Sequence, residues 1–585
     1  MKHFISRRNF LKATGVTAAA ATMALGAPAA SACWLGNKSD VTILYTNDVH
    51  TYIDNESPEI TYAAIAALKK SYEEAGKPVL LADAGDHVQG TAYGSMDDGA
   101  TIIELMNAAG YDVATLGNHE FDYGMERAKE IIKDADFPYL SCNWKDLRTG
   151  LKVLPSVKVF VKGGVRIAFV GVTTPETFTK STPAYFMDKT QSKYIYDILG
   201  GEDGKKLYDA VQKAVDKAKM MADYVIGLGH LGVDPSSSPW TSKEVIANTT
   251  GFDAFIDGHS HTVMEGEKVL DAAGKEVLLT QTGNYFDNVG EMTIAADGTI
   301  TTRLIPTYEG ADAAVAAIEQ GWIETVDDML GEKIAVGEPK FYINDAETGK
   351  RRIRSAETNL GDFVADGIYT YFNEIEKLNC DIAIMNGGGI RTDVDAGYWT
   401  FKTCKQVSPF GNVACLMSVK GQQIQDALEF AARFAGSGKE NGGFLHVAGA
   451  TYEIHTDIEN TVQTDDKSVW IGSATGTPRV QNVKIYNKTT GTYEPLDVNA
   501  TYAMAGMNYT LRNLGDGFAM FDGAELIKDY VAEDYLVMAT YAMSFDGVDA
   551  EGLPHLASAN SPLASYPGYL INYENPYGAG RIAVL

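Results

Sequence analysis

Short apolar segments alternate with amphipathic ones along the first half of the chain. Runs of β-branched and apolar residues predict strands, and apolar residues three or four positions apart predict helices. The predicted strands cover residues 41–45, 79–82, 112–116, 165–170, 224–228, 252–256 and 277–280, and the predicted helices 62–74, 102–109, 125–134 and 207–221. This alternation is typical of an α/β domain whose sheets are largely buried.

The pattern changes after residue 310. Residues 311–330 place Val315, Ile318, Trp322 and Val326 near one face, which predicts a helix linking two domains. Beyond it, the pattern predicts helices at 362–378 and 421–435, and strands at 382–385, 414–419, 450–454 and 480–486. The tail is rich in Pro, Gly, Ser and Tyr, and we expect it to be irregular, either draped on a domain or flexible.

A chain of 585 residues is too long for one core, so two large domains are expected. The predicted boundaries are a leader at 1–32, a first domain at 40–307, the linker helix at 308–332, a second domain at 333–545 and the tail at 546–585. No internal repeat of solenoid or propeller length is present.

The amino terminus has the three parts of an export signal. Arg7 and Arg8 precede Phe-Leu-Lys, an alanine-rich apolar run follows, and Ala30-Ser31-Ala32 offers a small-residue cleavage site. The segment resembles a twin-arginine signal. The alternative, a membrane anchor, is disfavoured because the apolar run is short for a bilayer span. We therefore expect export by the twin-arginine route to a periplasmic, extracellular or cell-surface location.

Cleavage after Ala32 would leave Cys33 first, as a candidate for a lipid anchor. Ala30, however, is a poor match where lipoprotein signals usually carry Leu, and a single acyl chain anchors only weakly. The other cysteines, Cys142, Cys380, Cys404 and Cys415, are too few for a disulfide framework. Whether Cys404 and Cys415 pair is left open by the sequence.

The chain is strongly acidic, with a formal net charge of −28. The leader holds four basic and no acidic side chains, so its removal brings the charge to −32. Such a body repels polyanions, which argues against duplex nucleic acid as a partner. A small anionic substrate would need a local positive site. After the leader, the sequence predicts no transmembrane segment.

Polar side chains with metal-binding chemistry follow five of the predicted strands. Ligands gather beyond the carboxyl ends of strands in such sheets, and alternate residues there point the same way. Carboxylate, imidazole and amide donors together suit Zn²⁺, Mn²⁺ or Fe rather than Ca²⁺. The candidate metal ligands are Asp48, His50, Asp86, Asn118, His230, His259 and His261. Seven donors are too many for one ion and suit two if one carboxylate bridges.

Two divalent ions about 3.5–4 Å apart lower the pKa of a shared water and stabilise in-line displacement at phosphorus. The pattern therefore predicts phosphoryl hydrolysis. Any one histidine at a strand end is more often a hydrogen-bonded structural residue. That alternative fails for the set, because five of the ten histidines fall at predicted strand ends. His87, His446, His455 and His555 are left as structural, with His87 a candidate for supporting the ligands.

The second domain offers groups that suit a nucleotide. Asn386 and Arg391 flank a Gly-Gly-Gly turn after a predicted strand, where backbone N–H groups and a guanidinium can bind a phosphate or carboxylate. Phe410 and Tyr509 could sandwich a base, and Asp516 could accept hydrogen bonds from ribose. The alternatives are a simple tight turn and two core aromatics.

The first set of motifs, in order, resembles the calcineurin-like metallophosphoesterases: Asp48-x-His50, Gly85-Asp86, Gly117-Asn118-His119-Glu120, Gly229-His230 and Gly258-His259-Ser260-His261. The resemblance implies one metal held by Asp48, His50, Asp86 and His261, and a second held by Asp86, Asn118, His230 and His259. It implies His119 as the catalytic residue, oriented by Asp122. Some members of the 5′-nucleotidase branch carry an amide residue where His261 stands.

The second set resembles the C-terminal domain of bacterial and animal 5′-nucleotidases, including Glu357–Asp362, Gly442–Leu445 and Val447–Gly449. The resemblance implies a four-layer α-β-β-α metallophosphatase sandwich, a linker helix and a C-terminal α/β domain hinged to it. In it Phe410 and Tyr509 stack the base, Asn412 contacts it, Asp516 holds the ribose, and Arg391 binds phosphate, with Arg354 a weaker candidate. Asp362 stands where some members carry a basic residue, so one phosphate contact is expected to be missing.

The expected function is an exported, two-metal 5′-nucleotidase that releases nucleoside and phosphate by in-line attack of a metal-activated water. One alternative is hydrolysis of 2′,3′-cyclic nucleotides, nucleotide-sugars or another ester on the same scaffold. A second is a surface binding protein without turnover, which the complete set of donors with His119 and Asp122 disfavours. Metal identity, base preference and oligomeric state are left open.

Overall fold

Two six-stranded mixed sheets form the amino-terminal part of the protein, in a computed structural model that describes residues 38–54, 60–181, 183–188, 193–529 and 531–585. The first sheet has the order Ile300–Ile305, Val289–Ile294, Val41–Thr46, Val79–Asp83, Val113–Thr115, Tyr139–Leu140. Its last four strands run parallel, Val289–Ile294 is antiparallel to Val41–Thr46, and the edge strand Ile300–Ile305 is antiparallel to Val289–Ile294. The leader and Cys33 lie outside the described residues.

The second sheet has the order Val263–Leu270, Glu276–Thr282, Ala254–Ile256, Tyr224–His230, Val165–Thr173, Val157–Lys162. Its four inner strands are parallel, and the two edge strands are antiparallel. Apolar side chains of both sheets, among them Ile43, Leu80, Phe169 and Ile226, form one core between them. Inner strands such as Val41–Thr46 and Val79–Asp83 are buried along their whole length, because both faces of each sheet are covered there.

Helices cover the outer faces and complete four layers. Tyr62–Glu74 and Ala100–Ala109 pack beside the first sheet, and Lys205–Lys219 buries Leu207, Val211 and Val215 against the second. The other helices of this half are Ala92–Ser95, Met125–Asp134, Thr177–Lys180 and Ser242–Ala247. Helices 62–74 and 125–134 have the predicted bounds, because their apolar spacing is regular throughout.

The helix Ala313–Leu330 connects the two halves. Its buried residues include Val315, Trp322 and Val326, as the spacing predicts. Trp322 Nε1 donates to the Tyr93 carbonyl at 2.8 Å. Lys402 of the carboxyl-terminal half reaches both Asp54 and Asp327 at 2.8 Å, so one lysine joins this helix to both halves. That the linker permits rotation remains a prediction.

Two further sheets build the carboxyl-terminal half. A five-stranded sheet has the order Leu445–Ala448, Ile382–Asn386, Thr501–Met507, Ala414–Lys420, Glu525–Lys528, and a four-stranded sheet the order Thr492–Pro495, Val480–Asn487, Ala450–Ile454, Ile582–Val584. Lys333–Gly337 pairs with Gly397–Thr400. The helices are Asn359–Thr370, Phe401–Val407, Gly421–Ala431, Asn508–Leu511 and Asp534–Met543.

Two helices of the carboxyl-terminal half end well before the predicted residue. The one predicted at 362–378 begins at Asn359, where Thr358 caps it, and ends at Thr370 in a π-helical turn, Tyr371–Ile375. The one predicted at 421–435 ends at Ala431. Apolar residues continue past both ends, so periodicity alone overestimates the length. Cys404 and Cys415 are both buried free thiols, which answers the open question of their pairing.

The tail is largely irregular but firmly packed. It ends in the strand Ile582–Val584, parallel to Ala450–Ile454. Arg581 is fully buried and donates to Asp366 at 2.7 Å, with Asp362 4.0 Å away. Glu357 accepts the backbone N–H groups of residues 580–582. The tail is therefore part of the fold, held by buried carboxylates.

Candidate metal centre and substrate cavity

All seven candidate metal ligands lie at the carboxyl edge of the two parallel strand sets. Asp48 and His50 follow Val41–Thr46, Asp86 follows Val79–Asp83, and Asn118 follows Val113–Thr115; His230 ends Tyr224–His230, and His259 and His261 follow Ala254–Ile256. The first three segments belong to one sheet and the last two to the other. The site therefore sits where the edges of the two packed sheets meet.

The side chains converge on two neighbouring points. Ligand atoms of Asp48, His50 and His261 lie within 4.8 Å of one another, and so do those of Asp86, His230 and His259. His261 Nε2 is 3.2 Å from His50 Nε2 and 3.4 Å from Asp48 Oδ1. Asp86 connects the groups, because its Oδ2 is 2.9 Å from His230 Nε2 and 3.8 Å from His50 Nε2.

The donor chemistry fits a divalent metal. Asn118 Oδ1 is buried and, within the described part of the chain, has no hydrogen-bond partner. A buried acceptor without a partner is costly unless something absent from the polypeptide binds it. Imidazole, carboxylate and amide donors in one buried cluster are the ligands of zinc, manganese and iron sites. This part of the protein is therefore built to hold divalent metal.

In three of the histidines, the ring nitrogen that faces away from the cluster lies beside a hydrogen-bond acceptor. His50 Nδ1 is 2.8 Å from the Gln89 carbonyl, and His230 Nδ1 is 2.7 Å from the Ala84 carbonyl, so each ring turns Nε2 to the cluster. His259 is reversed, since its Nε2 is 2.8 Å from Glu176 Oε2. Nδ1 of His259 is then the atom free for a metal. Partners of this kind fix the tautomer and the ring orientation.

The backbone of the ligand loops is unusual. Asp48, His50, Asp86, His259 and His261 all have φ between 50° and 80°, the left-handed region that side chains other than glycine rarely adopt. Such residues cost about 1 kcal/mol or more each and cluster where function requires them. The loops also touch: a Cβ on Gly117 would lie 2.1 Å from Asp86 Oδ1. Glycine at 117 is required by this contact.

Glu120, whose role the sequence left undefined, supports the centre from behind. Its buried carboxylate accepts the backbone N–H groups of Asp86 at 3.0 Å, His87 at 2.9 Å and Gly117 at 2.6 Å. It thereby joins two ligand loops. His87 bonds Asp83 and Tyr139 instead of entering the cluster, which matches its expected structural place.

His119 and Asp122 form a pair beside the cluster. His119 Nδ1 is 2.5 Å from Asp122 Oδ2, and the backbone N–H of His119 donates to Asp86 Oδ1 at 2.8 Å. Burial alone would lower the pKa of His119, but the carboxylates of Asp122 and Asp86 outweigh it and raise this pKa. The ring can thus carry a proton at the edge of the cavity, where a leaving oxygen could receive it.

A cavity of about 430 Å³ joins this centre to the carboxyl-terminal half. Asp86, Asn118, His259 and His261 line it together with His119 and Asp122, while Asp48, His50 and His230 are buried behind them. All seven candidate substrate-binding residues line its other wall: Arg354, Asn386, Arg391, Phe410, Asn412, Tyr509 and Asp516. The structure therefore brings both groups of motifs to one space.

The far wall is ordered by its own hydrogen bonds. Asn386 Nδ2 donates to Asp516 Oδ2 at 3.1 Å, and the Asp516 N–H donates to the Tyr509 hydroxyl at 3.1 Å. That hydroxyl donates to the Thr179 carbonyl of the metal-bearing half at 2.9 Å. The Phe410 ring lies 5.9 Å from the His119 ring. The aromatic and the catalytic candidates are thus within the length of a nucleotide.

Among the described residues, four cationic side chains line the cavity of this otherwise acidic protein. Arg351, Arg354 and Arg391 line one side, and Lys180 lines it as well. Burial, followed by the repulsion of Arg351 and Arg391, lowers the pKa of Arg354 to about 9, with Glu440 opposing. Three guanidinium groups in one cavity are suited to a substrate with more than one negative charge.

The cavity residues that sequence reasoning missed include Glu176, Lys180 and Arg351. Glu176 follows the strand Val165–Thr173 at the same edge as the ligands, so its position was an available signal. Arg351 stands in the basic run that includes Arg354. Lys180 carried no signal, because it ends a helix of four residues whose placement depends on tertiary packing. Asp362, expected to mark a missing phosphate contact, is fully buried beside Arg581 and does not line the cavity.

Comparison with known families gives three matches along the chain. Residues 41–263 match the calcineurin-like phosphoesterases, and residues 336–523 match the 5′-nucleotidase C-terminal domain. Residues 5–24 match the twin-arginine translocation signal. The chain combines a calcineurin-like phosphoesterase domain with a 5′-nucleotidase C-terminal domain. These matches confirm the predicted fold class and a metal-dependent phosphoric monoester hydrolase. The signal match confirms the predicted route of export.

The individual relatives are distant in sequence. The 5′-nucleotidase of Homo sapiens is 28% identical over 89% of this chain and 90% of its own. The trifunctional nucleotide phosphoesterase YfkN of Bacillus subtilis is 28% identical over 85% of this chain, which spans only 33% of that protein. The crystal structure of a 5′-nucleotidase precursor from Thermus thermophilus superposes with a TM-score of 0.72 at 24% identity, covering 93% and 99% of the two chains. The superposition shows that the two proteins share a fold.

Among the residues the structure describes, helices are too short or too polar for one to cross a bilayer.

Proposed function

We propose that this enzyme hydrolyses nucleoside 5′-phosphates to nucleoside and phosphate with two divalent ions. The observation that carries the proposal is the single cavity, which has the metal-ligand cluster on one wall and the candidate base-binding aromatics on the other. Phe410 and His119 are close enough for one nucleotide to touch both. A phosphatase without base recognition would have no use for the second wall.

The proposed ligand sets share Asp86. One ion would be held by Asp48, His50, Asp86 and His261, and the other by Asp86, Asn118, His230 and His259. Asp86 suits the bridging role because its Oδ2 faces a histidine of each set. When bound, such ions supply an acidified water and neutralise charge that develops on the phosphoryl oxygens. Zinc and manganese both fit these donors.

The remaining roles belong to this chain. Phe410 and Tyr509 stack on the base, Asn412 contacts its edge, and Asp516 holds the ribose hydroxyls with Asn386 beside it. Arg391 and Arg354 bind the phosphate. His119, held by Asp122, stabilises the transition state or protonates the leaving 5′ oxygen. The twin-arginine signal implies action outside the cytoplasm, in a periplasmic, extracellular or surface location.

The test is phosphate release from AMP by the purified mature protein. We expect turnover that a chelator abolishes and that added Zn²⁺ or Mn²⁺ restores, with metal analysis giving two ions per chain. A panel of nucleoside mono-, di- and triphosphates, 2′,3′-cyclic AMP and a nucleotide-sugar then identifies the preferred ester. Release from p-nitrophenyl phosphate with none from any nucleotide would refute base recognition.

A further inference from the structure

The turn that carries Phe410 and Asn412 rests on a buried ionic group outside the cavity. It follows the helix Phe401–Val407 and leads into the strand Ala414–Lys420. Gly411 has φ of 67°, so the chain reverses between the two candidate base-binding residues. Its Cβ position is 3.8 Å from Lys405 Nζ and 3.9 Å from Glu533 Oε2. The side of the turn that faces away from the cavity therefore lies beside the charged groups of Lys405 and Glu533.

Asp534 lies at the centre of this group. It is 2% exposed and opens the helix Asp534–Met543. The Asn412 N–H donates to its Oδ2 at 3.2 Å, and the Tyr535 N–H donates to its Oδ1 at 2.8 Å. The Asp534 N–H in turn donates to the Asn412 carbonyl at 2.8 Å. Asn412 and Asp534 are thus bound to each other in both directions, and both carboxylate oxygens are in use.

Lys405 supplies the opposing charge. Its side chain is also buried, 3.8 Å from Glu533 and 4.7 Å from the centre of the Tyr535 ring. The groups facing Asp534 are therefore Lys405 from one helix, with Glu533 and Tyr535 from its own segment. The attraction between the Lys405 ammonium and the Asp534 carboxylate helps to hold in place the segment to which the turn is bonded.

We propose that Asp534, supported by Lys405, is a positioning residue that sets the enzyme's affinity for the base half of its substrate. The inference rests on the proposed function. Asp534 does not line the cavity and touches no reacting atom, so it acts through Asn412 and Phe410. Its loss leaves the metal centre and the arginines in place. The affected substrates are those with a base, and phosphate esters without one are untouched.

The arrangement also predicts a pH dependence. Burial raises the pKa of Asp534 to about 7, against the lowering effect of Lys405 and the backbone N–H groups of Tyr535 and Asn412. Below that pH the carboxyl is neutral and holds the Asn412 N–H less strongly, because a charged acceptor makes the stronger bond. Base recognition should therefore weaken as pH falls through about 7.

The experiment compares AMP with ribose 5-phosphate, which has the same phosphate and sugar without the base. In Asp534→Asn one of the two backbone donors faces an amide NH₂ group. We expect KM for AMP to rise about tenfold with kcat within twofold, and the constants for ribose 5-phosphate to stay unchanged. The wild-type ratio of kcat/KM for AMP over that for ribose 5-phosphate should fall about fivefold between pH 8 and 6, and the variant's ratio should be flat.

Asp381→Asn is the matched control. Asp381 also accepts a backbone N–H, from Ala503 at 2.8 Å, in the same half but away from the cavity. It should leave both substrates unaffected, with thermal melting confirming that both variants fold. If Asp534→Asn keeps the wild-type ratio, or lowers kcat/KM equally for both substrates, the inference is overturned. Should wild type fail on AMP, the proposed function itself fails, which is a separate result.

Discussion

Replacing Glu120 with glutamine removes a charge that touches no substrate and holds two ligand loops together. The carboxylate accepts three backbone N–H groups, two on Oε2 and one on Oε1. A glutamine has one acceptor oxygen. If that oxygen keeps the bonds from Asp86 and Gly117, the amide NH₂ group meets the His87 N–H, donor against donor.

The magnitude follows from these contacts. The buried His87 donor left without a partner costs about 1–3 kcal/mol. The two remaining bonds weaken because their acceptor becomes neutral. We expect the free energy of unfolding to fall by about 2–4 kcal/mol. Since the bond that supports the Asp86 loop weakens and the one to His87 is lost, metal affinity should fall about 10–100-fold.

The assay is competition for zinc with a chromophoric chelator, together with urea denaturation of the metal-free protein. Glu429→Gln is the matched control, because Glu429 is also buried and accepts the N–H groups of Arg479 and Val480 at 3.0 and 2.7 Å. It should lower stability and leave zinc affinity unchanged. Unaltered zinc affinity in Glu120→Gln would refute the supporting role assigned to this residue.

Four further predictions rest on separate parts of the structure. His119→Ala should keep its metal by elemental analysis and lose turnover of AMP by about 10²-fold or more; near-wild-type rates would remove it from catalysis. Phe410→Ala should raise KM for AMP far more than KM for p-nitrophenyl phosphate, and equal effects would mean that the base does not stack there. Arg581→Met, which leaves Asp366 buried without its cation, should lower the free energy of unfolding in urea by about 3–5 kcal/mol, and a loss under about 1 kcal/mol would contradict the anchoring of the tail. Glu319→Gln tests a pH dependence of stability. Burial raises the pKa of Glu319 from 4.5 to about 7, so the folded state binds the proton of this carboxyl group more tightly than the unfolded state does. The stability that the bound proton contributes is lost as pH rises from about 4.5 to 7. The variant should therefore be more stable than wild type at pH 8 and show a flatter stability profile across that window, and identical profiles would exclude the shift.

Local pattern accounts for much of the fold. The helix 62–74 and the strands that precede the ligands follow from apolar spacing, which depends only on residues a few positions apart. The candidate ligands were visible for a related reason: a strand that ends in a short turn places its next polar residues at the sheet edge, wherever that strand lies in the sheet. The base-binding role of the cavity's far wall was predicted from the resemblance to the 5′-nucleotidase C-terminal domain. By residue type alone, Phe410 and Tyr509 suit the core equally well.

What the sequence could not supply concerns partners that are distant along the chain. Glu120 accepts the backbone N–H groups of Asp86 and His87, more than thirty positions away, as well as that of nearby Gly117. Glu176 is hydrogen-bonded to His259, 83 positions away. Asp362 looked like a substrate position until packing placed Arg581 beside it. The chain by itself determined which residue types stand at each strand end. Only the tertiary structure decided which of them meet, because a buried polar group takes its role from the donor or acceptor that packing brings within about 3 Å.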